Sequence, residues 1–249
     1  MDTVKGLSSF FVARNLFMRK HRGLAPEDRI FEDPVHLMKL REAVADLSWL
    51  LRRGYSQKSA TELVGNRYQL TQRERHALIH AAWGGHSRRP PLGTDALCGK
   101  KICIDGFNLL ITLETALGGG ILIQGVDGCI RDIANVHGNY SLRHETQKAV
   151  ELVAEGIEEL GVKEAVWYFD RPVSNSGRIA RLVDETAKRL GVSTRAVATD
   201  RVDTLLKSCR GVVVTADAAI LDSGVVWFDL AGWIIRDKIP KARIVALGD

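Results

Sequence analysis

Apolar positions along the chain follow two patterns, helical up to about residue 83 and strand-like beyond residue 100. In 36–51, HLMKLREAVADLSWLL, Leu37, Leu40, Val44, Leu47 and Leu51 recur at three- and four-residue spacing and share one helix face. In 71–83, TQRERHALIHAAW, Thr71 is followed three positions later by Glu74, a capping-box pattern that fixes a helix start. Between them, 54–70 predicts a short helix that begins near Ser56 and is ended by Gly65. Further on, apolar runs recur at KICID (101–105), AVWYFD (165–170), TRAVAT (194–199), GVVVTAD (211–217) and GVVWFD (224–229). Helical patterns over 144–160, 176–190 and 202–208 separate several of them. Strands that are apolar throughout and alternate with helices imply a parallel sheet covered on both faces. The expected fold is α/β, a doubly wound parallel sheet sandwiched by helices and preceded by a small all-α domain.

Gly, Pro and Ser cluster between the two patterns, in WGGHSRRPPLGTDALCGK (83–100), as a linker does. The expected division is a helical domain over 1–85, a linker over 86–99 and an α/β domain over 100–249. Within the second part, ILIQGVDGCIRD (121–132) reads as a β-hairpin whose turn is supplied by Gly125 to Gly128.

Charge divides the chain in the same place. Residues 1–99 carry 16 Lys and Arg against 10 Asp and Glu, while residues 100–249 carry 19 against 20. A basic first part suggests an anionic partner, most simply RNA or DNA. Arg52, Arg53, Lys58, Arg67, Arg73 and Arg75, interleaved with Tyr55 and Tyr68, are the residues that would track phosphates and stack on bases. The plain alternative is that they form solvated faces of a small bundle. No apolar run is long enough to span a bilayer, and the N-terminal 20 residues lack the order of charge and apolarity of a secretory signal. A cytoplasmic protein is expected, without membrane attachment. Cys98, Cys103, Cys129 and Cys209 form no CxxC pair and are expected to be reduced, mostly buried thiols.

Candidate chemistry lies at the strand ends. Ligands of open α/β sheets bind beyond the carboxyl ends of the strands, and here that edge is acidic. Asp105 follows KICI, Asp170 follows VWYF, and Asp217 follows VVVTA, with Asp222 five residues on. Asp229 follows VVWF, and Asp200 and Asp203 follow the RAVAT strand. Crowded carboxylates repel one another unless a cation compensates, and hard oxygen ligands suit Mg²⁺ or Mn²⁺. An Asp after a strand is equally able to act as a helix N-cap or turn former, the reading preferred for Asp229. Metal-assisted phosphodiester hydrolysis fits such a set and needs no Ser or Cys nucleophile.

Three segments carry a family resemblance. IDGFN (104–108) is similar to the motif that opens PIN and NYN nuclease domains, VVVTADAAILD (212–222) to their later acidic motif, and FDRP (169–172) to the middle acidic position. With GYSQKSATELVGNRYQLTQRE (54–74), nearly the whole chain resembles an archaeal and bacterial family of the domain-of-unknown-function 434 type with a PIN-like C-terminal part. The resemblance implies a PIN-like sheet and a metal-dependent nuclease, with RNA favoured over DNA. It implies Asp105, Asp170 and Asp217 as metal ligands, Asn108 orienting Asp105, and Asp222 and Asp203 as further ligands. A nucleic-acid-binding or regulatory protein with a degenerate, non-catalytic domain is the alternative.

Arg131, Arg143 and Arg171 are candidate phosphate contacts, because a guanidinium can grip two oxygens; solvated surface arginines are the alternative. His76 and His80 stand at i, i+4 and could bind zinc, but no third ligand accompanies them. His137 carries no assignable role.

Overall fold

The structure, a computed structural model, describes residues 22–85, 88–134 and 140–248. The segment read for a secretory signal and His137 lie outside the described residues. After a 3-10 turn at Pro26–Glu32 come three helices, α1 (Pro34–Arg52), α2 (Gln57–Arg67) and α3 (Gln72–Ala81). Each starts on the side chain of a polar cap. Asp33 accepts from the Val35 N–H, Ser56 from that of Ser59, and Thr71 from that of Glu74, whose own carboxylate accepts from the Thr71 N–H. Gly65, expected to end α2, instead lies inside it. A side chain there would overlap the guanidinium of Arg75 on α3, so the glycine permits close packing rather than terminating the helix.

The second part begins with β1 (Lys101–Asp105), α4 (Gly106–Leu117) and the expected hairpin of β2 (Ile121–Gln124) and β3 (Ile130–Asp132). Then follow α5 (Thr146–Glu159), β4 (Glu164–Asp170), α6 (Ser176–Leu190), β5 (Thr194–Thr199), α7 (Val202–Lys207), β6 (Val212–Val214), α8 (Ala218–Leu221), α9 (Leu230–Lys238) and β7 (Arg243–Ala246). Four parallel strands form one sheet in the order β5-β4-β1-β6. The run at 224–229 adds only an isolated parallel bridge, Val213 to Trp227, because Leu230 already opens α9.

Side-chain alternation gives this sheet two covered faces. Ile102, Ile104, Trp167, Phe169, Val212 and Val214 join the large core with α4, α5, α6 and α9. Cys103 and Val213 point the other way, into a smaller core with Val202 and Leu206 of α7 and Ile220 and Leu221 of α8. The protein is thus a mixed α/β structure with a parallel four-stranded sheet flanked by helices.

A second sheet, β3-β2-β7, was not expected from the sequence. β2 pairs antiparallel with β3 and parallel with β7. Its Ile121 and Ile123, with Val245 and Leu247, share a core with Leu40, Val44, Leu47, Val64 and Leu78 of the helical segment. Among the described residues, no helix is long and apolar enough to cross a membrane.

Two cysteines depart from the expectation of reduced thiols. Cys103 of β1 and Cys209 after α7 form a disulfide across 106 residues, whereas Cys98 is exposed and free and Cys129 is buried and free. Closing so long a loop restricts the unfolded chain, so Cys209→Ala is expected to lower stability by about 2–4 kcal/mol. Urea denaturation of the oxidised protein against the variant measures the loss, and a reductant should bring wild type down to the variant.

Candidate functional site

Register brings three strand ends together. β1 lies between β4 and β6, with Asp105 level with Tyr168 and Ile104 level with Val214. Asp105, Asp170 and Asp217 therefore emerge at the carboxyl edge of three adjacent strands.

Asp105 sits deepest. Its carboxylate accepts from the Thr215 hydroxyl at 2.9 Å and from the Asn108 backbone N–H at 3.4 Å, where it caps α4. Burial, then the charges of Asp217 and Asp170, push its pKa up to about 7 against those two hydrogen bonds. Gly106 directly after it is compulsory for a packing reason, since a Cβ there would overlap the Phe169 ring. Asp217 caps α8 through the Ile220 N–H at 3.0 Å, and its own N–H donates to the Thr215 hydroxyl at 3.1 Å. Thr215 thereby bridges the two acids. Half-buried Asp170 is also raised, by burial and then by the charge of Asp203 in the first turn of α7.

Asn108 supports this edge differently from the expectation. Its side-chain oxygen accepts from the Ala216 N–H at 2.8 Å, tying α4 to the turn before Asp217, while its main chain bonds Asp105. Asp222 is engaged by Arg88 at 2.9 Å and by the Trp83 indole N–H at 3.4 Å. Asp229 caps α9 through the Gly232 N–H at 2.9 Å, as read.

The arginines have separate fates. Arg131 is buried, not solvated: it donates to the carbonyls of Ala216 and His80 and pairs with Asp127, which Arg88 also holds. It braces the turn before Asp217 from behind. Arg171 is exposed and paired with Asp200 at 3.1 Å. Arg143 lines a different cavity.

Asp217 and Asn108 open onto a cleft of about 350 Å³ whose opposite wall comes from the helical segment, with Gln57 and His80; Asp132 and Arg131 also line it. Burial, with the charges of His76 and Arg131, lowers the His80 pKa to about 4, so its ring is neutral at neutral pH. Burial raises Asp132 to about 6, opposed by hydrogen bonds from the Ala134 N–H and the Thr112 hydroxyl. Sequence reasoning missed Thr215 and Asp132 as site residues, and it considered His80 only as half of a zinc pair with His76. Of the two that were missed, Thr215 left a signal, as the hydroxyl two positions before Asp217.

Among the described residues, no three His, Cys, Asp or Glu side chains stand close enough together to hold a metal ion. The acids fit a divalent cation in donor type and in their mutual repulsion, but not as a closed three-ligand cage. Much of the basic helical set is used internally. Arg73 bonds Asp28 and the Ile133 carbonyl, Arg75 bonds the Leu70 carbonyl and Asn66, and Arg67 pairs with Asp46 and lies over the Tyr68 ring.

Two family models match the chain: "Domain of unknown function (DUF5616)" over residues 94–233 and "Protein of unknown function (DUF434)" over residues 39–87. The chain is also similar to "Uncharacterized protein MJ0935" of Methanocaldococcus jannaschii, at 32% identity over 190 residues, covering 75% of this chain and 90% of that protein. No solved structure matches the chain.

Proposed function

The chain belongs to the family described as a domain of unknown function, DUF5616, and from its acidic strand edge we propose that it is a divalent-metal-dependent nuclease, PIN/NYN-like and acting on RNA in preference to DNA. The observation that carries this reading is the half-buried Asp105 beside Asp217 and Asp170, close enough for their charges to help raise its pKa to about 7. A protein that keeps like charges together at a strand edge loses stability unless something cationic binds there. Mg²⁺ needs only one or two carboxylates when water and phosphate oxygens complete its shell, a demand that Asp105 and Asp217 meet.

When bound, such an ion neutralises phosphate charge and makes a coordinated water more acidic. The chain's own groups do the positioning. Thr215 and the Asn108 backbone fix the Asp105 carboxylate, while the Asn108 side chain and Arg131 fix the turn that carries Asp217. Asp170, half-buried and raised in pKa, is the group on this edge suited to take up a proton. The cleft between that edge and Gln57 and His80 is the proposed seat of the phosphodiester.

The test is cleavage of single-stranded and structured RNAs with Mn²⁺, by wild type and by Asp217→Asn. Wild-type cleavage that vanishes with chelator and falls at least about a hundredfold in the variant, with the fold intact, is expected. Equal cleavage by both proteins would sink the reading. The lack of a three-ligand cluster among the described residues favours a second reading, a nucleic-acid-binding protein with a degenerate site. Mn²⁺ titration separates the two, because only a working metal site raises the melting temperature.

A further inference from the structure

Arg22 is an unusual residue to bury. Its side chain is 6% exposed, its Nε donates to Glu114 at 2.5 Å, and its guanidinium lies 5.7 Å from the centre of the Tyr140 ring. Its Nη2 is buried and has no hydrogen-bond partner among the described residues. Buried donors are nearly always satisfied, and one left open is costly. Among the described residues, the acceptor that this donor calls for is missing.

The space for one exists. Arg22, Arg73 and Arg143 line a cavity of about 230 Å³ together with Thr115, Gly120 and Asp28. The three guanidiniums arrive from separate parts of the chain: ahead of the 3-10 turn, from α3, and ahead of α5. The nearby acids are already engaged. Asp28 accepts from Arg73 on one oxygen and from the Ala25 N–H on the other. Glu114 accepts from Arg22 on one oxygen and from the Tyr140 and Thr146 hydroxyls on the other.

We propose that this cavity binds a phosphate monoester, whose several acceptor oxygens match arginine forks converging from different directions. Ala134 borders both this cavity and the acidic cleft, so an occupant phosphate would sit one strand end away from Asp132. Two sources share the chemistry, a free small phosphate or the terminal phosphate of a nucleic-acid strand. The anion site itself does not depend on the nuclease reading.

The experiment is thermal denaturation of the wild-type chain, free of divalent cations, in inorganic phosphate against chloride of equal ionic strength. A rise in melting temperature that half-saturates at or below about 1 mM phosphate is expected. Arg22→Lys keeps a cation beside Glu114 but loses the fork, and should weaken the effect about tenfold. Indifference of wild type to about 10 mM phosphate overturns the proposal, whatever the variant does. Equal responses of wild type and Arg22→Lys overturn it too. A second arm compares 5′-phosphorylated with 5′-hydroxyl oligonucleotides of one sequence on wild type. Tighter binding of the phosphorylated form assigns the strand terminus, and equal binding alongside a phosphate response assigns a free phosphate. Because no divalent ion is present, failure here leaves the cleavage test untouched.

Discussion

Asp105→Asn is expected to make the protein more stable at pH 8 while removing the cleavage proposed above. In the folded, cation-free chain the Asp105 carboxyl holds its proton up to about 7, against 3.8 ordinarily. Folding therefore takes up a proton between those values, and stability falls as pH rises through that window. The extra stability is fully present below about 3.8 and gone above about 7. A difference of this size corresponds to about 4 kcal/mol, and asparagine, which carries no charge, should recover about 2–4 kcal/mol of it at pH 8. The substitution keeps the local geometry, since asparagine caps a helix as well as aspartate and the Thr215 hydroxyl can reverse its role. Urea denaturation of both proteins at pH 4 and pH 8, without divalent cations, should show curves that coincide at the lower pH and separate at the higher. Mn²⁺ at pH 8 should raise the wild type towards the variant and leave the variant unmoved. A variant less stable at pH 8 would mean that Asp105 is an ordinary structural cap.

The second large effect is expected at Glu114, which is fully buried on α4 and accepts from Arg22, Tyr140 and Thr146. Glu114→Ala leaves the Arg22 guanidinium buried without its counter-charge and strands two hydroxyls. A loss of about 3–5 kcal/mol follows. Glu114→Gln, which keeps the shape and an acceptor, should lose less. The double replacement Arg22→Met with Glu114→Leu should recover much of the loss, because an apolar pair avoids the desolvation penalty. Urea midpoints for the four proteins decide it, and a Glu114→Ala protein as stable as wild type would show that the cluster contributes nothing.

How much of this was legible in the sequence depended on how local the signal was. The helix caps at Ser56 and Thr71 and the strands of the parallel sheet could be read because periodicity and capping act within a few residues. The same holds for the hairpin at Gly125 to Gly128. α4 was not read as a helix because it is apolar on nearly every side, so no polar face marks its period. β7 is short and mostly exposed, and only its pairing with β2 makes it a strand. The strand-end acids were legible, and so was the cap at Asp229, but the partners of the others were not. That Asp222 meets Arg88, across 134 residues, is written in the tertiary fold alone. The burial of Arg131, the Cys103–Cys209 disulfide and the Arg22–Glu114 pair are long-range facts of the same kind.

The pairing of β2 with β7 also sets an order of events during synthesis. Ile121 and Ile123 complete the core under the helical segment, yet their sheet partner lies about 120 residues later in the chain. At about 5–20 residues per second, a ribosome needs roughly 6–24 s to supply it. Through that interval the nascent helical segment and the hairpin hold an apolar seam without its last strand. A sheet completed by a strand supplied so late closes through a non-local contact, the class of contact that slows folding.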